Sequence, residues 1–331
     1  MNASLLQNTF ERLENKFLKA NIIFRSYDDL NKSKENHSRK IMVLLQSVIL
    51  FIFAIRTSCL IFTQKYFLGD FFSSLGYGRY LLNAQFATGL FMLISIRQII
   101  NYNEFRNKSY FFWYLDIQLR DLKNVDESFL DETAYQKFIA FFTKGFLIID
   151  KLSIIHTILV HALLFGSLII YVFSNQEMFT IKSFFMIVWY ICFSLIIKKE
   201  ATCLYFTLFK VASLIFYMRL RYSKMYEDLM IVSQLRRVDE KSFSYVNREF
   251  TVLSNEISKL NSEIRTFSIP IVGLVVVNYG LAYSVFFSSS LKSLMYITGP
   301  MFLLIFSMVI LITLFLASIH YKVNINKLVI H

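Results

Sequence analysis

The sequence predicts an all-α fold: a polytopic membrane helical bundle with long helices projecting into the cytoplasm. Three observations carry this. Apolar residues make up 56% of the chain and aromatic ones 17%, and mean hydropathy is +0.50. They are gathered in blocks of roughly twenty, the length that crosses a bilayer. Second, Phe243, Val246, Phe250, Leu253, Ile257, Leu260, Ile264 and Phe267 recur at alternating steps of three and four. That is a heptad seam, the narrow apolar stripe of a helix packed lengthwise on another. Third, Lys and Arg crowd onto alternate connections between the apolar blocks, as the positive-inside rule requires.

In chain order, residues 1–40 form a polar, basic cytoplasmic lead. Leu6, Phe10, Leu13, Phe17 and Leu18 mark an amphipathic helix, on the inner membrane surface or against the protein. The lead is too polar for a cleavable signal peptide, so the first apolar block serves as the insertion signal. Spans 1 to 4 are expected at 41–62, 80–100, 152–173 and 181–203. Arg56 sits in the outer part of span 1, where it can snorkel. Arg97 stands at the inner end of span 2. Gly69, Gly76 and Gly78 break the loop between them. The segment after span 2 contains Tyr110-Phe-Phe-Trp-Tyr-Leu, too short to cross, so an interfacial or packing helix is expected there.

A helical pattern begins near Ser128 and continues through span 3, with Asp150 and Lys151 at the water boundary. In span 4 the triplet Lys198-Lys-Glu200 interrupts a run that is otherwise apolar to Met218. A turn there would lack Gly, Pro, Asn or Asp, and a tight turn inside a membrane strands backbone polar groups. One continuous helix is therefore expected. Beyond the triplet, Leu208, Val211, Ile215, Met218, Tyr222, Met225, Leu229 and Val232 repeat the heptad steps. The two seams then form an antiparallel cytoplasmic hairpin over 204–267, with Met225, Leu229, Leu253, Ile257 and Leu260 as its buried contacts. Spans 5 and 6 fall within 268–318, Pro270 and Pro300 included, and 319–331 is a cytoplasmic tail.

Twenty-seven Lys and Arg fall in the lead and in the 2–3 and 4–5 connections. Only Lys65, Arg79, Lys182 and Lys292 fall in the others. This places the N-terminus, the hairpin and the C-terminus in the cytoplasm. The net charge of +12 and the pI of about 9.4 are then the basic inner face of a membrane protein, and no nucleic-acid partner is expected. The acceptor triplets at Asn2, Asn31, Asn36 and Asn107 fall on that same face and read as chance matches. Cys59, Cys192 and Cys203 lie in apolar blocks and suggest no disulfide framework.

No phosphate loop, zinc motif or pair of intramembrane carboxylates is present, so neither an enzyme nor a cofactor is expected. His156 and His161 lie five apart in span 3 and do not share a helix face. They read as core histidines bonded to neighbours, or as a ligand pair or relay. Asn278 reads as interhelical glue, with a binding role the alternative. The outer halves of the spans are rich in amphipathic aromatics. Tyr171, Phe185, Trp189, Tyr190, Tyr279, Tyr283 and Tyr296 are the candidate lining of an outward-facing small-molecule pocket. The competing reading is an interfacial aromatic belt. A voltage-gated channel would need an arginine run in span 4 and a pore loop between the last spans. A G-protein-coupled receptor would show D-R-Y and N-P-x-x-Y motifs. Neither pattern occurs.

The span 4 continuation reads Phe216-Tyr-Met-Arg-Leu-Arg-Tyr-Ser-Lys-Met-Tyr, and the approach to span 5 reads Leu253-Ser-Asn-Glu-Ile-Ser-Lys-Leu-Asn-Ser-Glu-Ile. With the inside N-terminus, these resemble the insect-type gustatory and odorant receptor superfamily over about residues 40–320. The resemblance implies a ligand-gated cation channel subunit whose cytoplasmic helices form an anchor joining four subunits. Members of that family carry a seventh, pore-lining helix with a Thr-Tyr…Gln-Phe motif. This chain stops after span 6, and its Gln85-Phe86 pair lies in span 2. The expectation is therefore that this polypeptide forms no family-type pore alone. Two alternatives stay open: a non-conducting structural or assembly subunit, and a solute transporter.

Overall fold

The structure is a computed structural model. It describes residues 2–24, 37–63, 65–73, 78–105, 130–175 and 180–234, with helical positions between 244 and 276. Among them are five α-helices, one 3-10 turn and no strand: α1 (Asn2–Lys19), α2 (His37–Phe62), the turn Tyr66–Leu68, α3 (Gly78–Phe105), α4 (Glu132–Asn175) and α5 (Ile181–Gln234). Apart from helical positions 270, 272, 273 and 276, the spans expected within 268–318 lie outside the described residues, as do the tail and the 106–129 segment.

Among the described residues three helices are long and apolar enough to cross a membrane: α2, α4 over Glu132–Phe173 and α5 over Ile181–Ile231. α3 covers expected span 2 (80–100) but is not among them. Arg79, Asn83, Gln85 and Arg97 dilute its apolar character, and three of these four are buried against neighbouring elements.

α2 and α3 are antiparallel, as are α4 and α5. We call upper the end at which α2 and α4 finish, and lower the opposite end. α5 runs unbroken through Lys198-Lys199-Glu200, 54 residues or about 80 Å. Gly145 of α4 permits the close approach of the two long helices, because a Cβ there would stand 2.6 Å from the Phe209 ring. Local signals fix the starts of both. At α4 the Asp131 carboxylate accepts from the Ala134 amide at 2.6 Å and from the Thr133 hydroxyl at 3.0 Å. At α5, Thr180 and Ser183 cap each other reciprocally: the Ser183 amide donates to Thr180 Oγ1 and the Thr180 amide to Ser183 Oγ.

α1 lies along the lower halves of α4 and α5. Leu6, Phe10, Leu13 and Phe17 are buried there, with ring contacts from Phe10 to Phe142 (4.4 Å) and Phe17 to Phe206 (6.4 Å). Of the two positions the sequence allows for this helix, it takes the one against the protein. The helix ends in a Schellman motif. Asn21 is left-handed (φ 53°), and the Ile22 and Asn21 amides bond back to the Phe17 and Leu18 carbonyls.

One core cluster joins α1, the lower half of α3, α4 and α5 to Leu253 of the helical stretch 250–259. Met225 and Leu253 are buried; Leu229 and Ile257 are half-buried, and Leu260 is outside the described residues. The Arg221 guanidinium donates to Glu256 at 2.6 Å, so the two seams meet along an ion pair as well as an apolar stripe.

Candidate functional site

Two polar knots and a line of aromatics stand out from the apolar bundle. The lower knot is centred on Arg97 of α3, which is fully buried, and Glu200 of α5. The guanidinium donates to the Glu200 carboxylate at 2.7 Å, and to the carbonyls of Asn21 (2.5 Å) and Ala20 (3.5 Å). Gln46 of α2 donates to the same carboxylate at 3.2 Å. The carbonyls left free by the Schellman turn of α1 thus find their donor on α3, and four elements meet at one charge pair. A buried pair this well hydrogen-bonded offsets its desolvation mainly through geometry. Nearby, Asn101 donates to Ser47, and the Phe24 amide donates to Glu104. The sequence shows Arg97 and Glu200 singly but not their partnership. The available signal was that charges near a membrane span seek one another.

The upper knot ties down the loop between α2 and α3. Asp70 accepts from Asn83 and from the Phe72 amide, and forms an ion pair with Arg79. Arg79 also donates to the Leu60 and Thr63 carbonyls at the end of α2. Arg56 does not snorkel to water. It is buried, donates to the Leu68 and Gly69 carbonyls, and lies over the Trp189 ring at 4.8 Å. Loop carbonyls replace solvent as its partners. Gly69 is left-handed (φ +58°), and a Cβ there would stand 2.8 Å from both the Phe185 carbonyl and Trp189.

The expected pocket residues divide accordingly. The Trp189 indole donates to the Phe67 carbonyl at 3.0 Å and meets Phe53 edge-on, so the loop already covers part of its face. Phe185 is half-buried beside the Gly69 turn. Tyr171 is buried under the Lys182 ammonium at 4.7 Å. Tyr190 packs on Phe165, and its hydroxyl lies 3.3 Å from His161 Nδ1. Tyr279, Tyr283 and Tyr296 lie outside the described residues. His156 pairs likewise with Tyr205, Nδ1 to Oη 3.2 Å. The two histidines are about 140° apart on α4, yet both reach α5, from opposite flanks of the contact. Each has a tyrosine partner and behaves as a core histidine.

These features define an all-helical protein with three helices able to span a membrane, a tightly packed lower bundle, and a polar-stitched loop at the upper end. Comparison with family models, with curated proteins and with solved structures finds no match for this chain.

Proposed function

We propose that the chain is a chemosensory receptor subunit of the insect gustatory and odorant receptor type, in the plasma membrane with its lower bundle in the cytoplasm. A small molecule enters from the upper, extracellular end, and helix movement is transmitted to the lower bundle, through which subunits assemble as tetramers in the resembled family. The observation that carries this reading is α5. It is one unbroken helix from the aromatic face at Trp189 and Tyr190 to the seam at Met225. A rigid element joining the two ends is what a receptor needs to couple ligand to gate. In that family the gate is a cation pore.

The second reading, a non-conducting assembly subunit, is favoured by the loop contact on Trp189, which leaves Tyr190 and Phe165 as the more available aromatic faces. A solute transporter has less support, because the buried charges Arg97 and Glu200 satisfy each other.

The test expresses the full chain, alone and with related subunits, and records responses to a panel of sugars, aliphatic odorants and aromatic amines. On the receptor reading at least one compound evokes a response that Tyr190→Ala abolishes while assembly persists. Leu253→Asp, which puts an unpaired charge into the seam, should abolish assembly itself. A chain that assembles normally and responds to nothing under either condition supports the second reading instead.

A further inference from the structure

Between α1 and α4, at the lower edge of the exposed apolar band, lies a cleft of about 520 Å³. Asn8, Arg12 and Asn15 line its α1 wall, and Thr143, Phe146 and Leu147 its α4 wall. Two groups in it are chemically unfinished. Arg12 lies over the Phe146 ring at 5.2 Å, with no carboxylate paired to it among the described residues. Cation–π contact leaves its N–H edge available to an anion. Thr143 Oγ1 is buried and has no hydrogen-bond partner, whereas Thr9 and Thr157 bond back to the carbonyl four residues earlier. A buried hydroxyl without a partner marks a place where an acceptor or donor is missing. Glu11 also borders the cleft, but its carboxylate accepts from Gln7 on the exposed face.

The level of the cleft is informative. Leu147 and Ile148 are the lowest large exposed aliphatics of α4, and Ile154, Ile155 and Ile158 continue the band upward. The Lys16–Asp150 pair closes the cleft about one turn above Arg12. Apolar chains running down α4 would therefore give way to polar groups at Arg12. Lys19, Lys144 and Lys151 are exposed on the same two helices, against Glu11, Glu14 and Asp150. Anionic lipids are concentrated in the cytoplasmic leaflet, and each nearby cation favours them.

We propose that this cleft is a binding site for an anionic phospholipid of the inner leaflet. Its phosphate would sit on Arg12, with Asn8, Asn15 and Thr143 as donors and its acyl chains along Leu147 and Ile154. The site rests on α4 crossing the membrane with its lower end on the cytoplasmic side, as proposed above, and does not depend on ligand sensing.

The purified full chain in detergent is incubated with phosphatidylserine or phosphatidylcholine, and retained lipid is counted by native mass spectrometry. Phosphatidylserine should be retained about fivefold more than phosphatidylcholine, and Arg12→Gln should remove that preference. Thr143→Val, which keeps shape and charge, should lower retention about two- to threefold. Lys65→Gln, exposed in the upper loop far from the cleft, should change nothing. Circular dichroism confirms that each variant is folded; if Arg12→Gln is not, Thr143→Val against Lys65→Gln decides. Equal retention of the two lipids, or equal losses in Lys65→Gln and Thr143→Val, would overturn the proposal. Displacement of the lipid by millimolar inorganic phosphate would overturn the lipid assignment in favour of a soluble phosphate.

Discussion

Between Ile181 and Leu195, α5 exposes Ile181, Phe184, Ile187, Val188, Ile191 and Leu195; between Ala201 and Met218 only Ala212 and Phe216 are as much as half-exposed. Both stretches, Lys182 and Lys210 apart, are largely apolar on every face, and such a helix must be enclosed by something. Above the Lys198–Glu200 triplet the enclosure is left to the surroundings of the molecule. Below it the protein supplies its own, with α1 on one side, α4 on another and the 250–259 stretch on a third. Two similarly apolar stretches thus have different enclosures, and the boundary between them is drawn by three charged residues. Lys198 points outward, Lys199 is half-exposed, and Glu200 turns inward to Arg97.

The sharpest way to break this contrast is Arg97→Ala. It leaves the Glu200 charge buried and strips the donor from the Ala20 and Asn21 carbonyls, at a cost of about 3–5 kcal/mol. Unfolding in mixed micelles, followed by circular dichroism, should show that loss, and the apolar pair Arg97→Met with Glu200→Leu should recover most of it. A near-neutral Arg97→Ala would mean the knot does not hold α1 in place. Next comes a matched pair of truncations. Phe206→Ala, in the lower core, should cost about 3 kcal/mol or more. Ile158→Ala, on the exposed band of α4, should cost under about 1 kcal/mol, because truncating an exposed side chain leaves no cavity in the protein. Equal costs would erase the distinction between the two regions. The smallest effect belongs to the start of α4. Asp131→Ala removes the cap, for about 1 kcal/mol. The Ala134 amide holds the Asp131 carboxyl below its ordinary range, with the Thr133 hydroxyl assisting. The cap therefore contributes fully above about pH 4 and fades as the pH falls through the lowered native value. The gap in melting temperature between wild type and variant should close in acid.

Periodicity made much of the helical layout legible. The steps from Leu208 to Met225 and the amphipathic face of Leu6 to Phe17 are properties of neighbours in sequence, and both faces are buried. The absence of turn-forming residues at Lys198-Lys-Glu200 is likewise local, and α5 is continuous there. The knots were not legible, because their partners stand about 100 residues apart, as with Arg97 and Glu200, or belong to a loop with no period. Arg56 illustrates the limit. Burial and solvation look alike in an isolated arginine, and only the fold decides whether water or the Leu68 carbonyl accepts its hydrogen bonds. The pocket residues suffered similarly: an aromatic near a helix end carries no mark of whether a loop will lie across it.

The position of α1 also sets a timetable. Phe17 rests on Phe206, so the residue that must cover the first helix is made 189 positions later. At roughly 5–20 residues per second, the ribosome needs about 10–40 s to deliver it. Until α4 emerges and brings Phe142 to Phe10, the apolar face of α1 has no long helix of this cluster to lie on, and a bilayer surface is an apolar phase that accepts an amphipathic helix. The Arg97–Glu200 pair comes into existence only when α5 emerges, so the knot that holds the end of α1 forms after its contact with α4.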